Sequence, residues 1–200
     1  ISPLAVAADV RPGPLSRAKE HIKEYRLEEK IQTRLSDGLA NIKPGEADSL
    51  IMSGIGGILM MRLLQDEEHT AKSFKELILS PQSELFDVRR YLVSNGYLIE
   101  YEHMLCDEGK YYFIFHVLVK KDEREWLEEE YRYGKDICKD DMKTFLAYLE
   151  KEERQYEQIL EKMKQAPEND RAAQRIAQLH QDITCLKKRR QLVYDCGCFA

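Results

Sequence analysis

Short apolar runs alternate with segments of helical periodicity through the first half of this chain. That alternation restricts the possible folds more than any other feature. Residues 3–10 (PLAVAADV) are a brief apolar run stopped by Pro12-Gly13-Pro14, which favours a strand. Residues 15–25 put Leu15, Ala18 and Ile22 on one face, the spacing of a helix. Residues 31–35 (IQTRL) alternate and then meet Ser36-Asp37-Gly38, a turn signal. Residues 48–52 (DSLIM) have the apolar continuity of a buried strand, and residues 58–64 open a helix that is apolar nearly all round. Residues 76–79 (ELIL) are a further strand, stopped by Ser80-Pro81. Residues 83–95 carry a helical stripe of Leu85, Val88, Leu92 and Val93, closed by Gly96. Strand followed by helix, repeated in this way, predicts an α/β fold with a parallel sheet covered on both faces.

The end of this region departs from the pattern. Residues 97–105 and 110–119 flank Cys106-Asp107-Glu108-Gly109, so they read as an antiparallel hairpin. After residue 121 the texture becomes charged and helical. Met142, Leu149, Tyr156 and Met163 recur every seventh residue, with Phe145 and Ile159 three residues after two of them. Residues 165–170 (QAPEND) interrupt the helix. A second series, Ala172, Ile176, Leu179, Ile183, Leu186 and Val193, then follows in steps of three and four. The expected organisation is a Rossmann-like domain over residues 1–121 and an antiparallel helical hairpin, or coiled coil, over residues 122–200. Glu152 and Arg190 fall on seam positions and are imperfections in it.

Composition excludes several classes. A net charge of −5 argues against a globally basic nucleic-acid binder, so RNA contact would need a local patch. No run of 18 apolar residues is present, so no membrane span is expected. The five cysteines are scattered and odd in number, which fits a reducing cytoplasm, and the lone close pair Cys196-Gly197-Cys198 lacks a second pair at zinc spacing. No metal is expected.

In a sheet of this class ligands sit beyond the carboxyl ends of the strands, and three candidate positions fall there. Asp9 ends the first strand, where a short carboxylate can accept both ribose hydroxyls; an exposed turn residue is the plain alternative. Asp37-Gly38 ends the second, where Asp accepts from an adenine amino group and Gly admits the ring; an ordinary Asp-Gly turn is the alternative. Ser53-Gly54-Ile55-Gly56-Gly57 ends the third and opens the next helix. Glycines there let a ligand approach free main-chain N–H donors, or else they serve close helix–strand packing. The spacing is not that of a dinucleotide fingerprint. Taken together, the three line one edge in the order a nucleoside cleft requires.

Several stretches resemble the TrmK family of bacterial tRNA (adenine-N1)-methyltransferases: AADVRPGPLSRAKEHI, TRLSDGLANIKPGEAD, MSGIGG, LILSPQ and DVRRYLVSNGY. The glycine loop resembles the family's (A/S)GMGG with Ile55 in place of Met, and residues 129–134 (EEYRYG) and the helical hairpin are also similar. The resemblance implies a class I methyltransferase fold using S-adenosyl-L-methionine to methylate N1 of adenine 22 in tRNA. It implies that Asp9 and Val10 flank the donor ribose, that Asp37 and Gly38 hold its adenine, and that residues 53–57 face the methyl and the target base, with Ser53 and Gly54 also against the donor. Family members begin with a further strand, a Gly-containing donor loop and a helix that do not precede Ile1. The expectation is therefore a fragment of a longer protein that binds donor poorly.

Basic clusters Lys187-Lys188-Arg189-Arg190, Arg89-Arg90 and Lys120-Lys121 are candidate phosphate contacts, or simply solvated helix faces. His103 and His116 read as surface or packing residues, and Tyr111, Tyr112, Phe113 and Phe115 as strand core. No residue stands out as a base, and adenine N1 needs none. The rival reading is a non-catalytic, degenerate methyltransferase fold that presents its helical hairpin to a protein partner. A monomer is the default expectation, on which the sequence says little.

Overall fold

A computed structural model describes residues 5–137, 141–164 and 170–195. The expected break at residues 165–169 and the Cys196–Cys198 pair lie outside the described residues. The elements run β1 (Ala5–Asp9), α1 (Pro12–Glu24), β2 (Ile31–Leu35), β3 (Ser49–Ile55), α2 (Gly57–Asp66), α3 (Glu68–Ala71), β4 (Glu76–Pro81) and α4 (Leu85–Ser94). Then come β5 (Leu98–Asp107), β6 (Lys110–Leu118), α5 (Glu128–Tyr133), α6 (Met142–Lys164) and α7 (Asp170–Asp195). Pro12 sits in the first turn of α1, where its missing N–H costs nothing. Asn95 caps α4 with its main-chain N–H, and Gly96 follows at φ +78° as anticipated.

The strands form two sheets where one was expected. β1 pairs only with β2, in parallel, and the other sheet runs β3-β4-β6-β5. β3 and β4 are parallel, while β6 is antiparallel to both β4 and β5. Among the described residues no strand joins β1 to β3, so β3 keeps a free edge. Period-two alternation sorts the larger sheet into two faces. Met52, Leu77, Leu79, Phe113, Phe115 and Val117 are buried on one, in a core shared with Met60 and Leu64 of α2 and Val88 and Leu92 of α4. Ile51, Ser53, Ile78 and Ile114 alternate with them on the other, and Ile51 is 72% exposed.

The change of texture after residue 121 does not interrupt the core. Phe145, Leu149, Leu186 and Val193 of the helical pair belong to the same buried cluster as the sheet. A polar knot fixes the connection. Asp122 accepts from Arg124 Nε and from Trp126 Nε1, at 2.8 and 2.9 Å, while Arg124 also donates to the Ile99 carbonyl and to Asp136. Burial alone would raise the Asp122 pKa, but the bonds from Arg124 and Trp126 outweigh it and hold the carboxyl down at about 2.

Deeper still, Arg89 and Glu102 are both fully buried. The guanidinium meets the carboxylate at 2.8 Å through Nη2, donates through Nη1 to the carbonyls of Tyr131 and Arg132, and lies over the rings of Phe113 and Phe115. The main-chain N–H of Glu102 donates to Asp136 O at 2.9 Å. From the other side the buried Arg189 of α7 donates to the carbonyls of Gly134 and Lys135, at 2.7 and 3.0 Å. Residues 131–136 are thus held between two buried arginines, one from each half of the chain.

Two outcomes follow from these networks. Arg89→Ala leaves the Glu102 charge buried without its partner and is expected to cost about 3–5 kcal/mol in urea unfolding, whereas a loss under about 1 kcal/mol would show that the pair is not needed. The Asp122 contribution is complete above its unfolded-chain pKa, near ~3.9, and is lost as pH falls from there through about 2. Thermal unfolding of Asp122→Asn should therefore be flatter than the parent across that window; identical acid limbs would contradict this.

Candidate donor and base site

The parallel register places Asp9 opposite Leu35, so the carboxyl ends of β1 and β2 lie side by side. Asp9 accepts twice in that corner: its carbonyl from Ser36 N at 3.0 Å and its Oδ1 from Arg11 N at 2.8 Å. The second contact folds residues 9–11 into a local turn, and Val10 beside it is exposed. Ser36, which the sequence offered only as part of a turn signal, is buried and organises the next loop. Its hydroxyl donates to Gly38 O and accepts from Asn41 N, at 2.9 and 3.0 Å. Gly38 has φ +54°, and an added Cβ would lie 2.5 Å from Leu63 Cδ2. Arg62 reaches Asp37 at 3.4 Å. Arg62 and Leu63 belong to α2, the helix that leaves the glycine loop. The ends of β1 and β2 therefore share one rim, and it touches α2 about one and a half turns beyond the glycine loop.

The structure gives the three glycines different tasks. Gly54 has φ +76° and nothing within 4 Å of a would-be Cβ, so it combines a left-handed backbone with open space in front of it. Gly56 caps α2, and a Cβ there would meet Ser83 Oγ at 3.2 Å. Gly57 is a packing glycine: a Cβ would fall 2.5 Å from Ser83 O and 2.7 Å from Val88 Cγ2. The two readings of the loop are both present, at different residues. Ile55 closes it, with its carbonyl accepting from Gln82 N at 2.9 Å and tying the end of β3 to the Ser80-Pro81-Gln82 segment.

Beside this loop an open, shallow cleft of about 490 Å³ lies on the face of the larger sheet that no described element covers, lined by Ser53, Ser80, Leu105, Asp107, Tyr112 and Ile114 among others. Ser53 and Ser80 are register partners across β3 and β4. Lys110 at the hairpin turn donates to Gln82 Oε1 at 2.7 Å, which pins the turn to the end of β4. Phe113 and Phe115 are core, as expected, but Tyr112 is half-buried and forms a cleft wall. Sequence reasoning missed this cleft because β3, β4 and the hairpin are brought together only by the sheet order. His116 lies on the same face, stacked on Tyr101, with Nε2 2.9 Å from Glu76; its Nδ1 is 3.0 Å from Glu100 without hydrogen-bond geometry. His103 Nδ1 is 2.9 Å from Asp141. Neither carboxylate pairing was visible from spacing.

The basic clusters need correction. Arg89 and Arg189 are interior side chains saturated by Glu102 and by main-chain carbonyls, so they cannot meet a phosphate. Arg190 pairs with Glu153, in a short contact, and Lys187 lies 3.5 Å from the same carboxylate. Arg90 is exposed and leans over Phe86 and Tyr131. Lys188 is exposed, as are Arg171 and Arg175 near the start of α7. Among the described residues no group of three His, Cys, Asp or Glu side chains is placed to hold a metal, and no helix is long and apolar enough to cross a membrane.

The family model TrmK, described as tRNA (adenine(22)-N(1))-methyltransferase, matches residues 2–188. This chain belongs to that family. The tRNA (adenine(22)-N(1))-methyltransferase of Bacillus subtilis is 26% identical over 190 residues, covering 92% of this chain and 79% of that protein. The crystal structure of the B. subtilis m1A22 tRNA methyltransferase TrmK superposes with a TM-score of 0.79 at 25% identity, over 92% of this chain and 81% of that one. A Streptococcus pneumoniae protein in complex with S-adenosyl-L-methionine superposes with a TM-score of 0.78 at 26% identity, over 93% and 80% respectively. Within the TrmK fold the antiparallel β5–β6 hairpin and the α6–α7 pair are thus shared features and not additions peculiar to this chain.

The glycine assignments are separable by substitution. Gly57→Ala overpacks the α2–α4 contact and is expected to lower stability by about 1–3 kcal/mol. Gly54→Ala carries only the left-handed backbone penalty, about 1–2 kcal/mol, and meets no neighbour. Relieving mutations discriminate between them: Val88→Ala should partly rescue Gly57→Ala and leave Gly54→Ala unchanged in thermal melts. Equal rescue of both, or of neither, would refute the division of labour.

Proposed function

We propose that this chain transfers a methyl group from S-adenosyl-L-methionine to N1 of adenine 22 in tRNA. The carrying observation is the family match across residues 2–188, and the shared rim of β1 and β2, in contact with the helix that leaves the glycine loop, supports it. The residues of that rim and of the loop suit the donor. Asp9 keeps Oδ2 clear of the Arg11 contact, Gly38 and Gly54 present backbone without side chains, and space lies open before Gly54. In this reading Asp9 and Val10 take the donor ribose, and Asp37 and Gly38 its adenine. Ser53 and Gly54 lie between donor and target base, with Ile55, Gly56 and Gly57 completing the loop.

When bound, the donor supplies a methyl group already activated by its sulfonium. The chain's own residues then orient and exclude water. The glycine loop sets the approach line, the Ser53–Ser80 cleft receives the base, and the Lys110–Gln82 contact holds the far wall. The tRNA is gripped by α7 through Lys188, Arg171 and Arg175, with Arg90 nearer the sheet. The protein acts in the cytoplasm, where its tRNA substrate is found. No observation favours the non-catalytic alternative.

The test is incorporation of labelled methyl into tRNA, with the modified position mapped by reverse-transcription stops. The expected result is a single stop at adenine 22 and a drop of at least about tenfold for Asp9→Ala, since a lost charge-assisted bond is worth about 1.5–3 kcal/mol. Label confined to another nucleotide, or none in tRNA while the donor binds, would overturn the proposal.

A further inference from the structure

We infer that Asp107 is the carboxylate that receives the target adenine, accepting from its exocyclic N6 amino group and balancing the charge that methylation creates. This rests on the methyl-transfer reading and assigns the base-recognising group within it. Among the described residues, Asp107 is the one acidic side chain lining the cleft beside the glycine loop. The remaining walls suit a flat heterocycle: apolar Leu105 and Ile114, aromatic Tyr112, and the neighbouring hydroxyls of Ser53 and Ser80. The depression is largely open, so a flat ring can lie against it from solvent.

The strand end that carries this carboxylate is tied to its surroundings. Asp107 is the register partner of Lys110 at the hairpin end, and Lys110 reaches across to Gln82 at 2.7 Å. Gln82 is in turn bonded through its N–H to Ile55 O in the glycine loop. Hydrogen bonds therefore link the hairpin tip, the end of β4 and the donor-facing loop. Another carboxylate close to the glycine loop, Glu84, is engaged in a short hydrogen bond from the Ser83 hydroxyl. It does not line the cleft.

The chemistry asks for a group of this kind. Adenine N1 attacks the methyl carbon through its lone pair. The N1–C bond forms as the C–S bond breaks, and the electron pair leaves on sulfur, which becomes a neutral thioether. No proton is lost, so the adenine becomes a cation whose charge is shared along N1–C6–N6. A carboxylate on the N6–H therefore binds the product and the transition state more strongly than the neutral base, which is the condition for raising rate and not merely affinity.

The experiment compares the parent chain with Asp107→Asn, and with Asp107→Ser as a second exposed-surface variant. One arm titrates free adenosine and free 1-methyladenosine, the cation at neutral pH, by NMR line shifts. The other measures single-turnover methyl transfer to tRNA. The parent is expected to prefer 1-methyladenosine by at least about fivefold. Both variants should lose that preference while binding adenosine within about twofold of the parent. Transfer should slow by about 10²-fold, the lower range for losing one preorganised electrostatic contact, with the tRNA KM little changed. Retained preference in the variants, or a rise in KM with the rate intact, would overturn the assignment. A parent that transfers no methyl to tRNA would sink the methyl-transfer reading, while the nucleoside arm would still judge Asp107.

Discussion

The buried pair of Arg89 and Glu102 is the constraint on which the rest of the architecture depends. Two charges taken wholly out of water are tolerable only when every remaining donor and acceptor is satisfied. Arg89 satisfies its surplus donors with the carbonyls of Tyr131 and Arg132, so α5 must lie where it does. Gly134 then passes so close to Glu102 that a Cβ would sit 3.1 Å from both carboxylate oxygens, at a φ of +96° that suits glycine alone. From that fixed segment Arg189 and the Arg132–Asp182 pair set the course of α7. A charge buried under the sheet thus determines the direction in which the helical arm leaves it.

The same economy of position governs the candidate site. Its loops are short and carry little side-chain machinery. What they offer is backbone brought close, hydroxyls without bulk, and a few carboxylates at strand ends. This suits a reaction whose electrophile arrives activated and whose nucleophile already holds a lone pair, because alignment and charge balance are then the main demands. The Lys110–Gln82 and Gln82–Ile55 contacts suit it as well, since they couple the wall of the base cleft to the loop that faces the donor.

The basic residues illustrate how composition can mislead about surface. A run of Lys187-Lys188-Arg189-Arg190 looks like one patch in the sequence, yet helical geometry turns successive residues by about 100°, so a run of four must face in different directions. Arg189 enters the core, Arg190 and Lys187 turn toward Glu153, and Lys188 faces solvent. Arg89 and Arg90 divide in the same manner, one fully buried and the other on the surface.

Local signals in the chain specify the elements and their order. Alternating periodicity, Pro12, Gly96 and the Asp107-Glu108-Gly109 turn are local signals, and each element they predicted is present within a few residues. The sequence also carried the family, since the glycine loop and its companions lie in short contiguous stretches. Contacts between distant residues come from the packing of the fold. That packing divided the larger sheet from the β1–β2 pair, made Gly57 a packing residue and Gly54 an open one, and buried Arg89 and Arg189. It also drew Ser53, Ser80, Asp107 and Tyr112 around a common cleft. The reason is physical. Periodicity reports which face of an element is apolar, but not which element comes to lie against it, and a charged side chain looks the same in sequence whether it ends in water or against a buried partner.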